Sequence, residues 1–277
     1  MDSLIHRGGF VRRLQSIVGV ATAVIAVAAC GTSTGGSPST ATELVGCAAG
    51  ADAGGGYNPQ VVPSDFTTTI DNPYYPIDPG TTQHLKDSAG NVVVIEVTQD
   101  TKTILGVTTR VVHDTVSTPD GKLEEDTWDW FAQDKAGSVW YFGEDTIKYS
   151  PDGGGDKTGT WTGGVDCAKP GVVMEAHPKI GDSYRQEFYA GKAEDQADVL
   201  SLGETVTVPA GTFTNCLKTR DYTRFSPGAD ENKYYCAGVG NLLTVDLPES
   251  LGMREELQSI TGATADGGIS GIDAARD

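Results

Sequence analysis

Val92-Val93-Val94-Ile95-Glu96-Val97, entered through the turn cluster Asp87-Ser88-Ala89-Gly90-Asn91, decides the fold class. Its β-branched residues suit a pleated surface, and the run is too short for a buried helix. Outward from it the pattern repeats. Val107 to Val116 follows Gly106, Pro119-Asp120-Gly121 turns the chain into Leu123 to Phe131, and Asp134-Lys135-Ala136-Gly137 turns it again into Val139 to Tyr149. Past the loop Pro151-Asp152-Gly153-Gly154-Gly155-Asp156, further strands are expected at Ser183 to Tyr189, Asp198 to Leu202, Glu204 to Val208, Leu217 to Arg224, Lys233 to Cys236 and Leu242 to Asp246. No helical segments long enough to serve as crossovers separate them, so parallel units are disfavoured. The expected architecture is all-β, an antiparallel meander rolled into a barrel or half-barrel, with a β-sandwich as the alternative. The 36 glycines agree, because Gly costs about 1 kcal/mol relative to Ala inside a helix.

The amino terminus reads as an address. His6, Arg7, Arg12 and Arg13 precede an uncharged apolar run from Ile17 to Ala29, 13 residues long. A membrane span needs about 20 residues, so the run is a secretory leader and not a permanent helix. It ends Val27-Ala28-Ala29-Cys30, which resembles the lipobox of bacterial lipoproteins. That resemblance implies cleavage before Cys30 and a diacylglyceryl group on its thiol, with fatty acyl chains such as palmitate. Each buried acyl methylene adds about 0.8 kcal/mol of membrane affinity, so two or three chains anchor stably. Residues 30–56 are Gly, Ser, Thr and Ala-rich and serve as a flexible tether. Within it, Gly31 to Gly35 matches the G-x-S-x-G hydrolase elbow, but no strand enters the turn and no helix leaves it. The expected organisation is therefore a signal peptide at 1–29, the tether at 30–56, an antiparallel β domain at 57–250, and a tail at 251–277. In that tail Met253 to Ile260 reads as a short helix and the rest as frayed.

Charge and cysteine usage bound the partners. The chain carries 38 Asp+Glu against 20 Lys+Arg, a net charge of -18; without residues 1–29 it has 37 against 17, a net -20. Such a surface repels polyphosphate and anionic lipid, so nucleic acid is not an expected partner and the membrane is met through the acyl anchor alone. Cys47, Cys167, Cys216 and Cys236 remain for an oxidising compartment, which permits two disulfides. Opposed residues of an antiparallel hairpin share one index sum, and the midpoint of 216 and 236 falls in the turn-like Ser226-Pro227-Gly228-Ala229-Asp230. Cys216 to Cys236 is the expected staple, leaving Cys47 to Cys167 by elimination. No C-x-x-C pair suggests zinc.

The densest chemistry lies between Glu124 and Asp145. Glu124, Glu125, Asp126, Asp129, Asp134, Glu144 and Asp145 are interleaved with Trp128, Trp130, Phe131, Trp140, Tyr141 and Phe142. A strand period of two puts Glu124, Asp126, Trp128 and Trp130 on one face and Glu125, Thr127, Asp129 and Phe131 on the other. Trp128, Asp129, Trp130, Trp140 and Glu144 are the candidate ligand-binding residues, because flat aromatic faces cover apolar sugar faces while carboxylates accept hydroxyl protons. Paired carboxylates can also cleave a glycosidic bond. The plainer reading makes the tryptophans core anchors or cross-strand pairs and the acids solvated or bonded to loop amides.

Asn72-Pro73-Tyr74-Tyr75-Pro76, Asp129-Trp130-Phe131-Ala132-Gln133-Asp134 and Val139-Trp140-Tyr141-Phe142-Gly143-Glu144 resemble an uncharacterised bacterial β family of secreted proteins and lipoproteins, over roughly residues 70 to 247. Val208-Pro209-Ala210-Gly211-Thr212-Phe213 with Tyr234-Tyr235-Cys236-Ala237-Gly238-Val239-Gly240 is similar to a terminal hairpin of extracytoplasmic curved-sheet proteins, some of which hold apolar ligands. The resemblance implies a fold and transfers no catalytic residue.

Other templates fit less well. After the leader only His84, His113 and His177 remain, with no H-E-x-x-H, no D-x-D-x-D-G loop, and no phosphate-binding glycine motif. No cofactor and no metal are expected, no catalytic residue is assigned, and the reading leans away from an enzyme. The functional expectation is a lipid-anchored protein on the outer side of a bacterial cell membrane, binding an apolar or carbohydrate ligand of the envelope. Its alternatives are a polysaccharide hydrolase using paired carboxylates and an interaction module without a small ligand.

Overall fold

The computed structural model describes residues 56–248, 252–262 and 272–273. The leader, Cys30, Cys47 and the tether up to residue 55 lie outside the described residues, as does most of the tail beyond 262. No helix among the described residues is long and apolar enough to cross a membrane.

A short 3-10 turn at Pro63–Asp65 leads into strands only. In chain order these are β1 (Phe66–Thr67), β2 (Thr82–Asp87), β3 (Val92–Ile104), β4 (Val107–Ser117), β5 (Leu123–Asp134), β6 (Val139–Tyr149), β7 (Gly155–Asp156), β8 (Trp161–Thr162) and β9 (Lys169–Met174). They continue with β10 (Ser183–Arg185), β11 (Glu187–Phe188), β12 (Gln196–Val208), β13 (Gly211–Tyr222), β14 (Glu231–Cys236), β15 (Gly240–Asp246), β16 (Arg254–Thr261) and β17 (Ile272–Asp273).

All pairings are antiparallel, and neighbours run β9-β6-β5-β4-β3-β2-β16-β15-β14-β13-β12-β10. The sheet curls so that its ends approach at residues 183–188. There β10 pairs with β12 while β11, one residue on, pairs with β9. No continuous ladder joins β9 to β12 among the described residues, so the sheet is not closed.

Aspartates staple the hairpin turns. The Asp87 carboxylate accepts the amides of Ala89 and Asn91, and that of Asp134 accepts the amides of Ala136 and Ser138, all at 2.8–3.0 Å. This local bonding to the backbone is why acid-rich turn clusters separate these strands. Part of the chain's acidity is therefore turn chemistry.

Three expectations need correction. Met253 to Ile260 forms no helix; Arg254–Thr261 is β16, paired with β15 on one side and β2 on the other. Its local helix-forming residues are overridden because two strand edges lie open to it and its inward residues Glu255 and Leu257 are buried. The domain accordingly extends past residue 250. The strands expected at Asp198 to Leu202 and Glu204 to Val208 are one, β12, whose register slips between Val199 and Val206. β2 and β9 carried too weak an apolar run to be read from sequence.

The principal core fills the inner face, where Leu85, Val93, Ile95, Val112, Phe131, Tyr141, Leu217, Tyr235, Leu242 and Leu257 form one cluster. Tyr75 and Ile77, from the segment that precedes β2, enter the same cluster. A second, smaller cluster lies on the outer face: Val61, Ile104, Val107, Val111, Trp130 and Phe142, with Phe66 and Trp140 packed against it. The segment leading into β1 covers that patch.

Candidate functional site

β5 and β6 are in register at Asp129↔Glu144, Thr127↔Thr146, Glu125↔Lys148 and Trp128↔Asp145. The five candidate residues therefore divide. Asp129 and Glu144 share the inner face and are 1% and 5% exposed, while Trp128, Trp130 and Trp140 stand on the outer face. The strand period read from sequence holds, and the single patch it suggested is two environments.

On the inner face the Tyr141 hydroxyl donates to Asp129 Oδ1 at 2.5 Å, and the Tyr141 ring stacks on Phe131 with centroids 4.9 Å apart. Burial, then Asp129 and Glu144, push the Tyr141 phenol well above its ordinary range, so it remains a donor. Tyr75 behaves alike, through burial and then Asp129 and Asp221, and it lies between Phe131 and Tyr235 at 5.9 and 6.0 Å. Burial, then Asp221 and Tyr75, does the same to Tyr235. Across the interior Lys233 Nζ lies 3.1 Å from Asp221 Oδ2 and 3.7 Å from Glu231 Oε2. Burial pushes the Lys233 ammonium down, but Asp221 and then Glu231 push it up, with a net upward shift. Lys148 faces Glu125 at 3.5 Å on β5 and β6.

An interior of paired carboxylates, lysines and phenols suits an apolar guest poorly, because the guest would remove the remaining polarity that holds these charges. A polysaccharide cannot approach Asp129 and Glu144 where they are buried. A small, partly open cavity between Pro76, Gln83, Val239 and Ile260 has about 30 Å³. Among the described residues, no group of three or more His, Cys, Asp or Glu is placed to hold a metal ion.

Sequence reasoning missed Tyr75, Asp221, Lys233 and Gln186. For Tyr75 the available signal was its motif context: Asn72 donates its amide to Gln133 Oε1 at 2.9 Å and its side chain to the carbonyls of Gly137 and Glu175, and Gly238 donates to the carbonyl of Pro73. The separated motifs quoted above thus meet at one place, which seats Tyr75 inside.

At the rim, burial and then Asp182 raise the Glu175 carboxyl to about 7. Asp182 is also hydrogen-bonded to it, and the Asp182 carboxylate accepts the Lys179 amide at 2.8 Å.

The outer face offers a different geometry. Trp128 is 38% exposed and stacks on His113 across β4 and β5, centroids 4.0 Å apart and planes within 9°. His113 Nε2 sits 2.8 Å from Asp126 Oδ1, which fixes the imidazole beneath the indole. Glu96 on β3 opposes His113, and Asp145 on β6 opposes Trp128, where Lys157 Nζ and Thr160 Oγ1 hold Asp145 at 2.8 and 3.3 Å. Two residues along, Trp130 is 4% exposed with Lys102 Nζ 3.2 Å from its ring centroid. Trp140 packs against Phe66 and donates Nε1–H to Asp134 Oδ2 at 2.8 Å. Trp130 and Trp140 are anchors of the outer core; Trp128 presents a ring to solvent.

Of the expected bridges, Cys216 to Cys236 is formed. Every pair from Leu217↔Tyr235 to Asp221↔Glu231 keeps the index sum of the two cysteines. Cys167 is also disulfide-bonded, and its expected partner Cys47 lies outside the described residues.

No family model matches the chain, and no curated protein does. Solved structures that superimpose on it include a protein from Bacteroides fragilis described as exported and of YmcC-like fold, at 15% identity and TM-score 0.39, and a protein from Parabacteroides distasonis described as a lipoprotein, at 14% and 0.38. Each alignment covers 68% of this chain and 98% of the other. Likeness at this level transfers neither function nor residues.

Proposed function

We propose that the protein is held by acyl chains on Cys30 to the outer side of a bacterial membrane and binds carbohydrate of the cell envelope on the outer face around Trp128. The observation that carries the ligand class is the half-exposed indole, backed by His113 and flanked by the carboxylates of Asp126 and Asp145. A flat ring covers the C–H face of a sugar, and neighbouring carboxylates accept its hydroxyls. The leader, the lipobox-like Val27-Ala28-Ala29-Cys30 and the disulfides support the compartment.

Sedimentation of the purified protein with insoluble envelope polysaccharide tests the binding. Trp128→Ala is expected to abolish cosedimentation while leaving the fold intact. Retention at the wild-type level by Trp128→Ala refutes the site, and absence of wild-type binding favours an interaction module. Metabolic labelling with a tagged palmitate, lost in Cys30→Ala, tests the anchor separately.

A further inference from the structure

The interior of the β13–β14 hairpin brings a lysine amine against one carboxylate and beside a second. Lys233, Asp221 and Glu231 side chains are 2%, 6% and 9% exposed, with Nζ 3.1 Å from Asp221 Oδ2 and 3.7 Å from Glu231 Oε2. Asp221 is held on both oxygens: Thr219 Oγ1 donates to Oδ1 at 2.5 Å and Gln186 Nε2 to Oδ2 at 3.0 Å. We propose that Lys233 and Asp221 condense into an intramolecular amide, with Glu231 carrying the proton.

Glu231 takes one ammonium proton, and the Nζ lone pair attacks Cγ of Asp221. Thr219 and Gln186 hold the carboxyl oxygens as charge develops on them. The C–N bond forms as one C–O bond breaks. The departing oxygen leaves as water with two of the three ammonium protons, one of them returned by Glu231, and the third stays on the amide nitrogen. Nothing is oxidised or reduced, and Glu231 ends as it began. Condensation replaces two buried charges, each carrying a desolvation penalty, by one neutral group, and leaves Glu231 as the remaining buried carboxylate. Exclusion of water from the site slows the reverse hydrolysis. The net upward shift of Lys233 keeps its amine protonated at rest, so condensation is a slow event on the folded protein. The hairpin already carries Cys216–Cys236 toward one end; the amide would tie the other end and survive reduction.

The test is a tryptic digest of the purified full-length protein after denaturation and disulfide reduction. The expected result is loss of cleavage after Lys233, with the Asp221-to-Arg224 fragment attached to the fragment carrying Lys233, one water lighter than their sum. In Glu231→Gln, with its fold checked by far-ultraviolet circular dichroism, linkage is expected to slow about 100-fold, on the order of a proton-transfer contribution. Separate wild-type fragments with ordinary cleavage after Lys233 overturn the proposal, and that measurement needs no variant to fold. Wild-type linkage in Glu231→Gln overturns the role of Glu231.

Discussion

Trp128 and Trp130 share a strand and a face, two residues apart, yet one is 38% exposed and the other 4%. Asp129 between them points inward and is as buried as the core around it. The difference lies in what covers each position. The inner face is covered by the sheet's own curvature and by Tyr75. On the outer face, Val61 and Phe66 lie across the cluster that contains Trp130. Trp130 is under that cover and Trp128 is beyond it.

The comparison breaks if the two tryptophans cost alike on truncation. Trp130→Ala is expected to destabilise by about 3–5 kcal/mol in urea unfolding, because it leaves a cavity in the outer core. Measured against wild-type protein in which the amide has not formed, Lys233→Met should fall in the same range, about 3–5 kcal/mol, by leaving Asp221 and Glu231 buried without their cation. Removal of the Cys216–Cys236 bridge in a Cys216→Ser, Cys236→Ser double variant comes next, at about 3 kcal/mol, read as a lower unfolding midpoint. Trp128→Ala is expected to cost about 1 kcal/mol or less, the loss of one partly solvated stack on His113.

The smallest expected effect sharpens the contrast between rim and interior. The folded-state carboxyl of Glu175 is raised from 4.5 to about 7, so the folded protein binds more protons than the unfolded chain between those values. Its contribution is fully present below about 4.5 and is lost as pH rises through about 7. Thermal midpoints taken across this window should decline less in Glu175→Gln than in the wild type. Equal slopes would remove Glu175 from the account.

Much of the strand pattern was legible because hairpins are local. The limits of Val139–Tyr149 follow from the flanking turns, and the Cys216–Cys236 staple follows from an index sum that any antiparallel hairpin obeys. β16 was not legible, since its partners β15 and β2 approach from distant parts of the chain and a local reading of Met253 to Ile260 sees only helix-forming residues. The candidate site was half legible. Alternation separated Asp129 from Trp128, but nothing local indicates that the face carrying Asp129 would be the inner one.

The sequence by itself determined much of the strand-and-turn order and the hairpin disulfide, because each depends on residues near one another along the chain or on their spacing. Only the tertiary structure decided which face of β5 is buried, which tryptophan meets solvent, and that Lys233 lies against Asp221 and Glu231. Those outcomes depend on the direction in which the sheet curls and on which distant segment covers it, and these are set by the summed burial of the whole chain and not by any one stretch.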